Sequence, residues 1–263
     1  MVLNLLETLR TDKPIVLTIA NFVTVQDVAN GLNAIGASPI MSAEALEAPD
    51  LVKISGSVCL NIGTLTETQV AQMKVVGQLA NEQQKPVVFD PVAVGASNYR
   101  YQTAVELLQQ VKVAVIRGNA GEIATLAGSD WQSKGIDAGS GAGDLVKIAQ
   151  TCALKYDCIV VLSGATDIIT DGKKVSQIHN GTPLFQLHVG SGDLLSSLVA
   201  AFTAVQSTDY FDAAQTACLV LATTGQLVAK QMTADRPGTF AFELIDKLHL
   251  ITTEEINKIA VVD

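Results

Sequence analysis

The sequence predicts an α/β fold: a three-layer sandwich with a mostly parallel central sheet, helices on both faces and an antiparallel edge. Three observations carry that expectation. From Ile15 to Leu162, short apolar runs alternate with longer segments of helical pattern, as in parallel strands covered on both faces. Asp171-Gly172 then sits between two extended runs, a hairpin signal that places antiparallel strands at one edge. Beyond Leu194 the pattern is almost wholly helical. No Pro/Ser-rich linker, repeat or evident lid insertion interrupts the 263 residues, so one domain, 1–263, is expected.

Met1 to Arg10 has the look of a short amphipathic helix, with Glu7 arguing against a signal peptide. Ile15–Ile19 is a first strand ending near Asn21, and Val25–Ile35 a helix that Gly36 terminates. Ser38–Met41 is short and extended, and Ala43–Ile54 helical. Val58–Ile62 is a strand closed by Gly63. Thr66 caps a helix running to about Gln83. Pro86–Phe89 is the fourth strand, stopping at Asp90-Pro91. Thr103–Val111 is helical, Ala114–Ile116 a strand, and Asn119 opens the next helix. Gly143–Tyr156 is an amphipathic helix before the strand Ile159–Leu162. The hairpin arms are Asp167–Thr170 and Val175–Ile178, and the closing helices are Leu194–Val205, Phe211–Met232 and Thr239–Leu248.

The chain centres on Val189-Gly190-Ser191-Gly192-Asp193. Leu184–Val189 alternates like a half-buried strand, and the helix after the motif is apolar on every face. Glycines at Gly190 and Gly192 leave bare N–H groups around Ser191, and a helix N-terminus adds partial positive charge there. That makes an anion hole with a carboxylate, Asp193, at its lip, which suits phosphoryl transfer to a hydroxyl with Asp193 as base. The plainer alternative is an ordinary strand-to-helix turn capped by Ser191 or Asp193.

In an open parallel sheet, ligands gather beyond the carboxyl ends of the strands. Asn21, Asp90, Arg117, Ser163 and Asp193 all fall at such ends. Arg117 offers a permanent cation for phosphate. Asn119 and Glu122, three apart, suit a capping box; together with Asp90 they equally suit Mg²⁺ held largely through water. A second glycine-rich run, Ala138–Asp144, follows no apolar strand and reads as a surface loop with Asp144 capping a helix.

Composition excludes several classes. A net charge of −9 argues against a nucleic-acid partner. No apolar run approaches the roughly 20 residues of a membrane span. Cys59, Cys152, Cys158 and Cys218 lack CxxC spacing and mostly sit in apolar surroundings, as buried thiols of a reducing compartment do. His179, His188 and His249 lack metal-ligand spacing. A cytoplasmic protein is expected.

Several segments in order resemble the hydroxyethylthiazole kinases, thiamine-salvage enzymes of the ribokinase-like superfamily. These are Gly31–Met41, Leu60–Leu65, Phe89–Val92, Ile116–Ile123, Lys134–Gly139 and Pro237–Phe240. The resemblance implies ATP- and Mg²⁺-dependent phosphorylation of the hydroxyl of 4-methyl-5-(2-hydroxyethyl)thiazole. Arg117 and Ser163 would contact ATP, while Met41 and Gly190 would contact the thiazole with Asn21 nearby. Asp90, Asn119 and Glu122 would organise metal and phosphates. It also implies a homotrimer with sites between subunits. The family often has Thr at the position of Ser163, a Thr-Asn-Asn pattern around Asn21, and Cys in well-known members where this chain has Asp193. Two other readings of such a chain are a nucleotide-dependent NAD(P)H-hydrate dehydratase on the same fold and a non-catalytic nucleotide-binding trimer.

Overall fold

The computed structural model describes residues 4–129 and 142–263. The Trp131–Lys134 stretch, the Lys134–Gly139 segment and most of the Ala138–Asp144 run lie outside the described residues, as does the side chain of Asp144. One sheet organises the rest, with strand order β2-β1-β3-β4-β5-β6-β7-β8. The strands are β1 (Ile15–Ile19), β2 (Ser38–Met41), β3 (Ser57–Asn61), β4 (Val87–Asp90), β5 (Val115–Asn119), β6 (Ile159–Ser163), β7 (Asp167–Thr170) and β8 (Val175–Ile178). Pairing is parallel from β2 across to β6 and antiparallel from β6 to β8, so both the parallel body and the Asp171-Gly172 hairpin are as expected.

Alternate residues of each strand feed opposite cores. Val16, Cys59, Val88, Val115 and Val161 face a layer built from α1 (Asn4–Asp12), α2 (Val25–Ile35), α9 (Ser191–Val205), α10 (Tyr210–Gln231) and α11 (Pro237–Leu250). Leu17, Leu60, Phe89, Ile116 and Val160 face α3 (Ala48–Ile54), α4 (Glu67–Glu82), α5 (Asn98–Gln110), α6 (Ala120–Ala127) and α7 (Ala142–Tyr156). A single 3-10 turn, Ala45–Glu47, precedes α3 where one continuous helix is expected. Helix α5 starts at Asn98, ahead of Thr103, because Ser97 accepts the N–H of Arg100 as its cap. A last helix, α12 (Thr253–Ile259), opens on a Thr252–Glu255 capping box that the sequence reading passes over.

The stretch Leu184–Val189 is not a strand. Leu184–Leu187 forms one helical turn, α8. The sheet offers it no edge, since Val262 already bridges Ile178 on the outer side of β8. Phe185 turns instead towards α10, where Gly225 leaves room for its ring, and packs edge-on against Phe240 with ring centroids 5.4 Å apart. All four cysteines are buried and free, and burial pushes the Cys152 thiol up to about 12.

Helix α9 is the keel of the molecule: Leu194 to Thr203 are all buried against β1, β3 and β4 below and α2 and α10 beside it. Phe202 is fully buried there. Phe202→Ala should lower the unfolding free energy by about 3–5 kcal/mol, read as a shift in the urea midpoint at constant slope.

Candidate active site

The C-terminal ends of β2, β1, β3, β4, β5 and β6 lie side by side and carry, in that order, Met41, Asn21 just beyond its strand, Asn61, Asp90, Arg117 with Asn119, and Ser163. Asp193 arrives differently from the expectation: it comes from the first turn of α9, which points its N-terminus at this row.

Three side chains grip Asp193. Its Oδ2 accepts Asn21 Nδ2 at 2.8 Å and Thr24 Oγ1 at 2.5 Å, and its Oδ1 accepts Asn61 Nδ2 at 2.9 Å. Asn21 Oδ1 meanwhile accepts the backbone N–H groups of Val23 and Thr24, an Asx turn that leads the chain into α2. Its Nδ2 also donates to Asn61 Oδ1 at 3.1 Å. The Asn21 amide is thereby saturated, so it orients Asp193 and has no spare donor for a ligand. Asn61 faces Asp90 in the β3–β4 register and donates to Asp90 Oδ2 at 3.2 Å as well as to Asp193.

Asp90 is fully buried. Its Oδ2 also accepts Ser196 Oγ at 2.7 Å and lies 3.6 Å from Arg117 Nη1, whereas its Oδ1 has no partner. Burial raises its pKa to about 7; Arg117 opposes that rise, and Asp193 and Glu122 add to it. Among the described residues, Arg117 pairs with Asp90 alone, while the charges of Asp193 and Glu122 act on Asp90 from farther off. Arg117 Nη2 donates to Ser163 Oγ at 2.5 Å, and the guanidinium lies against the Cα of Gly192, where any Cβ would collide with it.

The glycine motif is partly as expected. Gly190 is the N-cap of α9 with φ +99°, and a Cβ there would strike Thr24, so glycine is required on both counts. No side chain caps the helix, which sets aside Ser191 and Asp193 as caps. Ser191 also leaves the anion hole, because its N–H and its hydroxyl both turn back to the carbonyl of His188. The first-turn amides of Gly192 and Asp193 have no intrahelical acceptor and are the donors that remain.

Asn119 and Glu122 form the capping box. Asn119 Oδ1 accepts the Glu122 N–H at 3.0 Å, and Glu122 Oε2 accepts the Asn119 N–H at 2.8 Å. The second Glu122 oxygen accepts the Ala93 N–H at 2.8 Å, tying the loop after β4 to the end of β5. Among the described residues, no group of three or more His, Cys, Asp and Glu side chains is placed to chelate a metal directly.

A cavity of about 460 Å³ opens beside Arg117 and Ser163. Gly164, Ala165 and Asp167 line one side, His179 to Pro183 and Phe185 another, and Leu195, Cys218 and Leu221 the floor. Arg117 and Ser163 supply polar groups at its mouth, and Pro183, Phe185, Leu195 and Leu221 supply apolar surface, which suits a phosphorylated ligand with a flat ring. Asn61, Thr24 and Ser196, which hold Asp193 and Asp90, and Asp167, which lines the cavity, are the polar side chains of this end that sequence reading misses. Asn61 closes its apolar strand as Asp90 does, and Ser196-Ser197 interrupts an otherwise apolar helix; those are the signals available.

Residues 6–254 match the hydroxyethylthiazole kinase family model. The chain belongs to the hydroxyethylthiazole kinase family. It is 68% identical to the hydroxyethylthiazole kinase of Lactiplantibacillus plantarum over the whole of both chains. The structure of a hydroxyethylthiazole kinase protein from Pyrococcus horikoshii OT3 superposes with a TM-score of 0.91 at 31% identity, covering 99% of this chain and 97% of that one. A ribokinase-like superfamily protein from Enterococcus faecalis V583 shares the fold, with a TM-score of 0.67 at 14% identity over 94% of each chain. Family membership favours the kinase over the hydrate dehydratase and over a silent nucleotide binder.

Asp167 gives the site a pH signature. Burial raises its pKa to about 6, against the Gly164 N–H that it accepts at 3.0 Å and against Arg117. A carboxyl with a raised native pKa holds its proton more tightly when folded, so the Asp167 contribution to stability falls as pH rises from about 4 to about 6 and then levels off. Asp167→Asn keeps the bond to Gly164 and should remove this part of the fall, about 3 kcal/mol at most. Urea unfolding at intervals from pH 4 to 8 reads it; equal slopes in both proteins would mean Asp167 is already ionised throughout.

Proposed function

We propose that this protein transfers the γ-phosphoryl group of ATP to the hydroxyl of 4-methyl-5-(2-hydroxyethyl)thiazole, with Asp193 as base. The observation that carries the assignment of roles is the grip of Asn21, Thr24 and Asn61 on the Asp193 carboxylate, at the mouth of a helix N-terminus that bears Gly190 and Gly192. The thiazole lies on the Met41–Asn21–Gly190 side and ATP on the Arg117–Ser163 side with its base in the cavity. The acceptor oxygen attacks the γ-phosphorus, the bond to the β-phosphate oxygen breaks, and the hydroxyl proton passes to Asp193. Charge on the transferring group meets the Gly192 and Asp193 amides and Arg117, which need no rearrangement as the reaction proceeds.

The residues present fit Mg²⁺ bound through water and the triphosphate: Asp90 Oδ1 is buried without a partner, and Asp193 and Glu122 add negative charge around Asp90. Asp90 and Glu122 would hold it, with Asn119 fixing Glu122. When bound, Mg²⁺ neutralises phosphate charge. Asp193→Asn keeps the size, removes the charge and replaces one of the two accepting oxygens with a donor. Turnover should fall by roughly 10²–10⁴-fold with ATP binding retained, measured by coupled ADP release; near-normal turnover would reduce the motif to a phosphate cradle.

We read the active form as a homotrimer with sites between subunits, in the cytoplasm. Phe22, Val23, Leu46 and Val189 are 77%, 59%, 87% and 71% exposed, on loops and the 3-10 turn at the Met41–Asn21 end of the sheet. Large apolar groups gathered at one place favour burial by another copy, which would also exclude water from the transfer step. Buried free thiols suit a reducing compartment. Among the described residues, no helix is long and apolar enough to cross a membrane. Sedimentation velocity on active protein should show a trimer; a monomer with full activity would refute the assembly.

A further inference from the structure

The outer wall of the cavity, His179 to Pro183, is irregular chain between β8 and α8. Backbone in such a wall needs hydrogen-bond partners from elsewhere, or it will not hold its position. The partners here come from Ile259–Asp263. Gln177 and Asp263 exchange both backbone hydrogen bonds, at 2.9 and 3.0 Å, and the His179 N–H donates to the Val261 carbonyl at 3.0 Å. The stretch thus runs antiparallel along the outer edge of β8.

Its hold on the wall is concentrated at Asn180, which is buried at 4% exposure. Asn180 Nδ2 donates to the Ile259 carbonyl and to Gln226 Oε1, both at 2.8 Å, and its Oδ1 accepts the Val261 N–H at 2.8 Å. Gln226 Oε1 also accepts the N–H of Gly181 at 3.3 Å. With both amide protons and its oxygen engaged inside the protein, Asn180 serves as a clip. The His179 ring makes a second tie: Nε2 lies 2.9 Å from Asp263 Oδ2, and Nδ1 lies 3.2 Å from Thr166 Oγ1, next to Gly164 and Ala165 on the facing wall.

We propose that Ile259–Asp263 is a strap that sets the width of the nucleotide cavity, with Asn180 as the positioning residue through which it acts. The inference rests on the assignment of the cavity to ATP. The strap lies at β8, at the opposite end of the strand order from Met41 and Asn21. Loosening it therefore weakens nucleotide binding and leaves acceptor binding and the chemical step unchanged.

Three variants of the full chain test this: Val261→Pro, which deletes the N–H that Asn180 accepts; a chain ended after Ala260; and Asn180→Ala. Arg117→Ala is the control for the site itself. KM for ATP, KM for the thiazole alcohol, kcat and melting temperature are measured for each. KM for ATP should rise about 3–30-fold, the scale of one or two buried hydrogen bonds, with kcat and the thiazole KM within about twofold. The truncation and Asn180→Ala, which share the Asn180–Val261 contact, should combine less than additively. An unchanged KM for ATP in Val261→Pro and Asn180→Ala overturns the proposal even if the shortened chain fails to fold. So does a rise in the thiazole KM that matches the rise for ATP, since that is general loosening. If Arg117→Ala itself leaves KM for ATP unchanged, the nucleotide assignment fails first and the strap falls with it.

Discussion

The position of one carboxylate, Asp193, constrains everything at this end of the sheet. Its helix cannot slide, because Leu194 to Thr203 are buried between the sheet and the neighbouring helices. Its side chain cannot turn freely, because Asn21, Thr24 and Asn61 hold both oxygens. A carboxylate near an apolar core is expensive unless its hydrogen bonds are met, and two neutral amides and a hydroxyl meet them here. The apolar keel supplies the rigidity and the amides supply the direction.

The same layout separates the two halves of the proposed reaction along the strand order. Met41 and Asn21 stand at β2 and β1, Asn61 and Asp90 at β3 and β4, and Arg117 and Ser163 at β5 and β6, with the cavity beyond them towards β8. Asp193 and Gly192, from one helical turn, face the two sides: the carboxylate reaches Asn21 and Asn61, and the glycine Cα lies under Arg117. Binding energy from either partner is thus delivered to the same short stretch of backbone. The price is an electrostatic imbalance, since the charges of Asp193 and Glu122 oppose that of a buried Asp90 which Arg117 offsets, and an incoming cation–triphosphate complex is suited to relieve it.

Much was legible in the sequence alone. Apolar runs of strand length alternating with helical periods determined the parallel sheet, and Asp171-Gly172 determined the antiparallel edge, because these are local signals of side-chain spacing and turn chemistry. Polar residues closing apolar strands marked Asn21, Asp90, Arg117 and Ser163, since such residues are costly there unless they serve a site. Gly190 was readable as a backbone requirement, and the Asn119–Glu122 spacing as a capping box.

Tertiary structure decided the rest. Leu184–Val189 alternates like a strand, yet the edge it would pair with is taken by Val262, and Phe185 gains more against Gly225 and Phe240. Ser191 looks like an anion-hole donor, but its turn aims both donors at His188. Glu122 is legible as the partner of Asn119 in a capping box, but its second oxygen also accepts the N–H of Ala93, from a loop 29 positions earlier. Asn61 reaches Asp193 across 132 positions of chain and Asn180 reaches Val261 across 81. Periodicity reports which face of an element is buried; only the packed chain decides which polar atoms at its ends meet, because those meetings depend on contacts far apart in sequence.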